Sequence, residues 1–234
     1  MNMKKSFKLK IINKKEFDAF SAEYLFHFLK KDSNYKKNIS IALSGGSTPL
    51  PIFDILKKYK LDWDNFSFFM VDERDVSTSN HLSNYGNIKK VFFDSISSKN
   101  YIMRIENSSI SDSANNYENL IYSKIPLAEN GVPTFDLICL GIGDDGHTAS
   151  LFPSTEALVE NKKLVVANNV PQLRTDRITL TFRLILNAAK IIIFTKGVNK
   201  QKIIDEIEAG AGDQYPIAKI INSNVDTTLI LGKD

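Results

Sequence analysis

The chain has 234 residues, of which 43% are hydrophobic, which is enough to bury one large core. Its 30 basic and 27 acidic side chains give a formal net charge of +3, without the clustered basic runs typical of proteins that bind nucleic acid or membrane surfaces. We therefore expect one domain over residues 1–234 that binds neither nucleic acid nor membrane.

The sequence carries no signal for export or for a membrane anchor. The lysine-containing segment 1–10 is not followed by an apolar region of signal-peptide length, and no stretch approaches about 18 unbroken apolar residues. These features predict a soluble, cytoplasmic protein. Its one cysteine, Cys139, lies in an apolar run and is expected to be a buried side chain, so that no disulfide forms within the chain.

The hydrophobic pattern predicts alternating strands and helices along the chain. A strand at residues 7–12 and a helix at 14–31 come first, followed by a strand at 39–43. The next helix should begin at Thr48 and Pro49, because threonine is a good N-cap and proline suits the first helical position. Further strands are predicted at residues 66–71, 135–140, 164–167, 178–182, 191–195 and 227–231, and further helices at 83–93, 111–125, 184–189 and 199–208.

Short apolar strands that alternate with helices are typical of the α/β class. We predict a single doubly wound, largely parallel sheet with helices on both faces. Functional sites in such folds lie beyond the carboxyl ends of the strands, so the loops that follow strands are the candidates.

The first candidate loop is the sequence SGGSTP at residues 44–49, between a predicted strand and a predicted helix. Gly45 and Gly46 allow a ligand to approach the backbone closely, and the free N–H groups at the helix start favour an anion near Ser47 and Thr48. The Gly-Lys-Ser/Thr ending of a nucleoside triphosphate loop is missing, which disfavours such a ligand. A tight turn with an ordinary helix cap is the alternative.

The second candidate loop, GIGDDG at residues 141–146, formally matches a dinucleotide-binding fingerprint. Two aspartates in the turn would oppose a pyrophosphate, and Pro153 follows too soon for the helix that this motif requires. We therefore reject a nicotinamide or flavin cofactor.

His147 follows this loop, and Asp145 lies two residues before it, where a carboxylate can hold the imidazole in one tautomer. This pairing suits a general base, because histidine with its ordinary pKa of about 6.5 accepts a proton near neutral pH. The alternative is a histidine with only a capping or packing role. The other histidines, His27 and His81, and the single cysteine lack metal-ligand spacing, so that we expect no metal site.

Three basic residues are candidates for binding an anion. Arg74 lies in the segment 72–75 at the end of the predicted strand 66–71, where it could reach a developing oxyanion or a phosphate, or pair with a neighbouring aspartate. Arg177 opens another strand, and Arg174 could take its place. Lys200 falls in the first turn of a predicted helix. This is a costly position for a cation unless a bound anion lies between the lysine and the positive end of the helix dipole.

Five segments, in this order, resemble the 6-phosphogluconolactonase family over nearly the whole chain: SGGSTP at 44–49, DER at 72–74, SNY at 83–85, GIGDDGHTASLFP at 141–153 and RITLT at 177–181. The resemblance implies hydrolysis of 6-phospho-D-glucono-1,5-lactone to 6-phospho-D-gluconate, the second step of the oxidative pentose phosphate pathway. It also implies that no cofactor is needed, and that the fold is shared with glucosamine-6-phosphate deaminases and ribose-5-phosphate isomerases.

The resemblance further implies a role for each candidate residue. His147 matches the base that activates water, Asp145 its orienting partner, and Arg74 a residue that handles the substrate. The remaining matches are to substrate-contacting or phosphate-binding positions: Gly45, Gly46, Ser47, Thr48, Arg177 and Lys200. We expect a small phosphorylated lactone as the partner, and a monomer or a small homo-oligomer.

Two other functions are compatible with parts of the sequence. Glucosamine-6-phosphate deaminases are similar at the glycine loop, at Asp72 and at residues 145–147, but carry a glutamate in an Asn-Glu-Pro segment where this chain has Leu151 and Phe152 before Pro153. A sugar-phosphate sensor that regulates transcription usually carries a helix-turn-helix ahead of this domain, and the sequence shows none before its first predicted strand.

Overall fold

A computed structural model describes residues 7–233 of the chain. Residues 1–6, part of the segment considered above for an export signal, and Asp234 lie outside the described residues. The strands are β1 Phe7–Asn13, β2 Ile39–Leu43, β3 Phe66–Met70, β4 Asp72–Arg74, β5 Lys99–Asn100, β6 Leu137–Leu140, β7 Val165–Val170, β8 Thr175–Leu180, β9 Lys190–Lys196 and β10 Asp226–Lys233. The helices are α1 Phe17–Ser33, α2 Pro49–Leu56, α3 Asn84–Val91, α4 Ile110–Lys124, α5 Phe182–Ile185, α6 Val198–Glu208 and α7 Ala218–Ile221.

The main sheet has seven parallel strands in the order β1-β10-β9-β6-β2-β3-β5. From β2 the chain moves to β3 and β5 on one side, and from β6 it moves to β9 and β10 on the other. Because crossovers between parallel strands are right-handed, α1, α2 and α3 cover one face, and α4 and α6 cover the other. The α/β class and the doubly wound, largely parallel sheet are confirmed.

The central strands are buried on both faces. Every residue of β2 and of β6 is buried, as expected for strands that read as continuous apolar runs. Among residues 7–233, no helix is both long enough and apolar enough to cross a membrane.

The expectation of one sheet is incomplete, because a second sheet of three antiparallel strands has the order β4-β8-β7. The predicted strand at 164–167 continues to residue 170 as β7, and the predicted strand at 178–182 begins three residues earlier, at residue 175, as β8. Only residues 171–174 then separate them. This connection is too short for a parallel crossover, and the two strands form a hairpin instead.

A buried glutamate attaches the second sheet to α3. The Glu73 carboxylate accepts hydrogen bonds from the backbone N–H groups of Arg74, Asn84 and Tyr85 and from the Ser83 hydroxyl, at 2.7 to 2.9 Å. Burial raises the pKa of the Glu73 carboxyl, and these four hydrogen bonds act against that rise. The carboxylate thus takes up N–H groups that the first turn of a helix leaves without partners.

A close contact also joins the loop after β2 to the start of α3. A Cβ atom added to Gly45 would lie 2.7 Å from the Cα atom of Asn84, a distance too short for two carbon atoms. Gly45 is therefore required by packing, whereas a Cβ atom added to Gly46 would meet nothing within 4 Å among the described residues.

We expect Glu73→Gln to lower the free energy of unfolding by about 2 kcal/mol, because the new NH₂ group would face donors and leave buried N–H groups unpaired. Urea unfolding measures this change. Glu23→Gln, an exposed side chain on α1, is the matched control and should change stability by less than about 0.5 kcal/mol. Equal effects of the two substitutions would contradict the role given to Glu73.

We expect Gly45→Ala to lower the free energy of unfolding by about 1 to 3 kcal/mol, because the added methyl group must displace the start of α3. Gly46→Ala, one residue away, should stay within about 0.5 kcal/mol of the original protein. Thermal or urea unfolding of both variants tests the contact, and a tolerated alanine at position 45 would disprove it.

Candidate active site

A cavity of about 170 Å³ lies where the loops after β2 and β6 meet. These strands are neighbours in the main sheet, and the chain leaves them in opposite directions. The Ser44 N–H donates to the Cys139 carbonyl oxygen at 3.1 Å, which holds the start of the first loop beside β6. Residues from β4, β8 and the start of α3 complete the cavity wall. This place in the sheet, a topological switch point, is where α/β proteins bind ligands.

His147 lies in the cavity wall and is held from three sides. Its Nδ1 atom is 2.5 Å from Oδ1 of Asp145, and the same oxygen accepts the His147 backbone N–H at 3.1 Å. The Phe152 ring stacks on the imidazole, with centroids 3.9 Å apart and planes inclined by 28°. On the third side, a Cβ atom added to Gly143 would overlap the imidazole ring. The ring orientation is therefore fixed before any substrate binds.

The carboxylate of Asp145 also sets the tautomer of the neutral imidazole. An ionised carboxylate only accepts hydrogen bonds, so Nδ1 carries the hydrogen and Nε2 keeps a lone pair. Burial raises the pKa of the Asp145 carboxyl, but the hydrogen bonds from the ring and backbone of His147 outweigh this effect, and the pKa lies below its ordinary value. The pair therefore presents a basic nitrogen at Nε2.

The glycines of the GIGDDG segment allow the tight fold of the histidine loop. Gly143 leaves room for the His147 ring, and its N–H donates to the His147 carbonyl oxygen at 2.8 Å. Gly146 adopts φ +76°, and a Cβ atom there would lie 2.7 Å from the Cβ of Tyr215. The spacing that imitates a dinucleotide fingerprint is thus explained by the tight fold of the loop.

Two arginines lie opposite each other on the second sheet. Arg74 of β4 and Arg177 of β8 are register partners, and both line the cavity. Within the described part of the chain, the Nε atom of each is buried without a hydrogen-bond partner. Burial lowers the pKa of the Arg177 guanidinium, and the nearby charge of Arg74 lowers it further. Two such cations side by side favour an anion in the cavity.

The glycine loop borders the same cavity. Gly46, Ser47 and Thr48 line it, together with Pro49. Thr48 occupies the N-cap position of α2 as predicted, but its side chain makes no capping hydrogen bond with residues 7–233. Gly45 is not among the cavity-lining residues of the described chain and instead contacts Asn84.

Lys200 is placed differently from the arginines. Its ammonium group forms an ion pair with the Asp144 carboxylate, which lowers the pKa of that carboxyl. Neither Lys200 nor Arg174 belongs to the cavity wall as the described residues form it, and Arg174 is an exposed residue at φ +48°. The structure thus brings His147, Arg74 and Arg177 to one cavity and leaves Lys200 outside its wall.

Sequence reasoning did not propose three further polar residues at the site. Asp72 and Asn84 line the cavity, and the Ser150 hydroxyl donates to Oδ2 of Asp72 at 2.6 Å. Asn84 in turn donates from Nδ2 to the Asp72 carbonyl oxygen at 3.0 Å. All three lie in segments that carry the family resemblance, which was the available signal. Within residues 7–233, no cluster of three or more His, Cys, Asp or Glu side chains could hold a metal ion.

Comparison with known proteins agrees with this geometry. A family model described as glucosamine-6-phosphate isomerases/6-phosphogluconolactonase matches residues 13–230. A 6-phosphogluconolactonase from Haemophilus influenzae is 36% identical over 225 residues, which cover 92% of this chain and 92% of that protein. One from Chlamydia pneumoniae is 39% identical over 186 residues, covering 77% and 70%.

The fold comparison gives the same family. The structure of 6-phosphogluconolactonase from Trypanosoma brucei superimposes with a TM-score of 0.86 at 27% identity, over 97% of each chain. That of the Thermotoga maritima enzyme superimposes with a TM-score of 0.84 at 26% identity, over 97% of this chain and 100% of the other. The resemblance drawn from the sequence is confirmed, and the chain belongs to the glucosamine-6-phosphate isomerase and 6-phosphogluconolactonase family.

Proposed function

We propose that this protein hydrolyses 6-phospho-D-glucono-1,5-lactone to 6-phospho-D-gluconate in the oxidative pentose phosphate pathway, by general-base activation of water. The observation that carries the proposal is the His147–Asp145 pair, fixed at a cavity that two arginines also line, each with an Nε atom that has no hydrogen-bond partner among residues 7–233. The names of the relatives support the same substrate. A small phosphorylated lactone as the partner and a cytoplasmic location belong to this proposal.

In the proposed reaction, Nε2 of His147 takes a proton from water as the water oxygen attacks the lactone carbonyl carbon. The carbonyl oxygen becomes an oxyanion in the tetrahedral intermediate. When the carbonyl re-forms, the bond to the ring oxygen breaks, and the imidazolium returns its proton to that oxygen as a hydroxyl. The carboxylic acid formed from the attacking water then ionises to 6-phospho-D-gluconate and releases its proton to solvent. General-base assistance of this kind contributes about 10²- to 10⁴-fold to the rate.

The substrate phosphate is proposed to bind Arg177 and the N–H groups of the glycine loop. Arg74 lies beside Arg177 and can assist the phosphate or the oxyanion. Lys200, predicted as a further phosphate ligand, is paired with Asp144 outside the cavity wall and is not assigned a contact in this proposal. Anchoring at the phosphate holds the carbonyl carbon near the water, which lowers the entropic part of the barrier.

Phe152 favours hydrolysis over deamination. It precedes Pro153 at the place where deaminases carry a glutamate that assists ring opening, and it is buried against His147. An aromatic ring supplies no proton there. The position therefore supports the imidazole and leaves His147 as the acid–base group of the loop.

We expect His147→Ala to lower kcat by about 10²- to 10⁴-fold, because the base is lost. Proton release from freshly generated lactone, with spontaneous hydrolysis subtracted, measures the rate. His27→Ala, an exposed histidine on α1, serves as the control and should keep the full rate. Undiminished activity of a folded His147→Ala protein would contradict the general-base mechanism.

We expect Arg177→Ala to lower kcat/KM for the phosphorylated lactone by about 10- to 100-fold, because a charge-assisted hydrogen bond to phosphate is lost. The slow reaction with D-glucono-1,5-lactone, which has no phosphate, should change little. Arg174→Ala is the matched control and also tests the alternative phosphate ligand. A loss with Arg174→Ala in place of Arg177→Ala would reverse the assignment.

A further inference from the structure

Asn84 is a buried polar residue in the cavity wall that the proposed reaction does not use. The residue is 2% exposed, and its Oδ1 atom has no hydrogen-bond partner among residues 7–233. Buried acceptors are almost always paired, and an unpaired one at a ligand cavity needs an explanation. A donor supplied by the ligand is the simplest one.

The neighbours of Asn84 decide which of its amide atoms is the acceptor. The other amide atom lies 3.0 Å from the backbone carbonyl oxygen of Asp72 and must be the NH₂ group, because a carbonyl oxygen only accepts. Turning the amide over would place two oxygen atoms against each other. The free atom is therefore Oδ1, which can only accept a hydrogen bond.

The backbone around Asn84 holds this acceptor in place. Its N–H donates to Oε1 of Glu73 at 2.7 Å, at the first residue of α3. Its Cα and Cβ atoms pack against Gly45, where any side chain would collide with them. The side chain is fixed without ligand, so that little conformational freedom is lost when a ligand binds.

The polar groups of the cavity offer both donors and an acceptor. Arg74 and Arg177 supply donors and positive charge, whereas Asn84, whose NH₂ group is held by the Asp72 backbone carbonyl oxygen, supplies an acceptor at Oδ1. An ionised phosphate oxygen attracts the arginines but has no hydrogen to donate to Oδ1. A neutral hydroxyl group can donate to Oδ1.

We propose that Asn84 is a specificity-determining residue whose Oδ1 accepts a hydrogen bond from a ring hydroxyl of the lactone. This inference rests on the proposed function, because the lactone 6-phosphate is the ligand that brings both the phosphate and the hydroxyl groups. Asn84 thereby recognises the sugar, while the arginines recognise the phosphate.

The test compares the lactone 6-phosphate with its 2-deoxy, 3-deoxy and 4-deoxy analogues. With the original protein, one analogue should lose about tenfold in kcat/KM relative to the parent, because its hydroxyl is missing. In Asn84→Ala, the parent lactone should fall by a similar factor, and that analogue should fall no further. Asn87→Ala, on the same helix with an amide that donates to the His81 carbonyl, is the control and should keep the original discrimination.

A second variant separates recognition from folding. Asn84→Asp keeps an acceptor oxygen but loses the donor to the Asp72 carbonyl, so it should retain discrimination against the same analogue even if it is less stable. Equal losses on all four lactones, or discrimination that survives in Asn84→Ala, would overturn the inference. If the original protein accelerates hydrolysis of no lactone, the proposed function itself fails, a result that is distinct from uniform losses in the variants.

Discussion

The site depends on one constraint of the parallel sheet. β2 and β6 lie side by side, but the chain leaves them in opposite directions, so no single helix covers both carboxyl ends. A crevice results, and the glycine loop and the histidine loop face each other across it although they are far apart in sequence. The second sheet closes the crevice from the side and brings Arg74 and Arg177 to it. The order of the strands therefore determines where the catalytic candidates lie.

Two neighbouring carboxylates in β4 then hold the parts of the wall together. Glu73 binds the start of α3 through two backbone N–H groups and the Ser83 hydroxyl, and Asp72 accepts the hydroxyl of Ser150 from the segment that follows His147. Buried carboxylates persist only when such donors satisfy them. A strand of only three residues therefore fixes α3, the histidine loop and Arg74 relative to one another, and the rigidity of the cavity follows from these bonds.

Six of the seven strands of the main sheet, the histidine loop and the family could be predicted from the sequence, because buried parallel strands are continuous apolar runs and GIGDDGHTASLFP is a long, specific segment. The seventh strand, β5, has only two residues, both polar, and so gives no apolar run. β4 could not be predicted as a separate strand, because Asp72–Arg74 contains no apolar residue and forms a strand only by pairing with β8, far along the chain. The acceptor role proposed for Asn84 could not be predicted from the sequence either, because it depends on contacts with Gly45 and Asp72, which are distant from it along the chain. The place of Lys200 in the first turn of a helix predicts a phosphate ligand. Its ion pair with Asp144 could not be predicted, because hydrophobic periodicity carries no information about pairing between distant side chains.

The electrostatics of the arginine pair link stability to the proposed binding of phosphate. Burial of the Arg177 guanidinium, and to a smaller extent the nearby charge of Arg74, lower the pKa of Arg177, and the charges of Asp72 and Glu73 offset part of this effect. The repulsion between the two guanidinium groups therefore raises the free energy of the folded protein. An anion bound between the guanidinium groups removes the repulsion and gains charge-assisted hydrogen bonds. Because the unfolded chain has no such arrangement, the same anion stabilises the fold as it binds. In the proposed complex with phosphate, relief of the repulsion between these register partners therefore contributes part of the affinity.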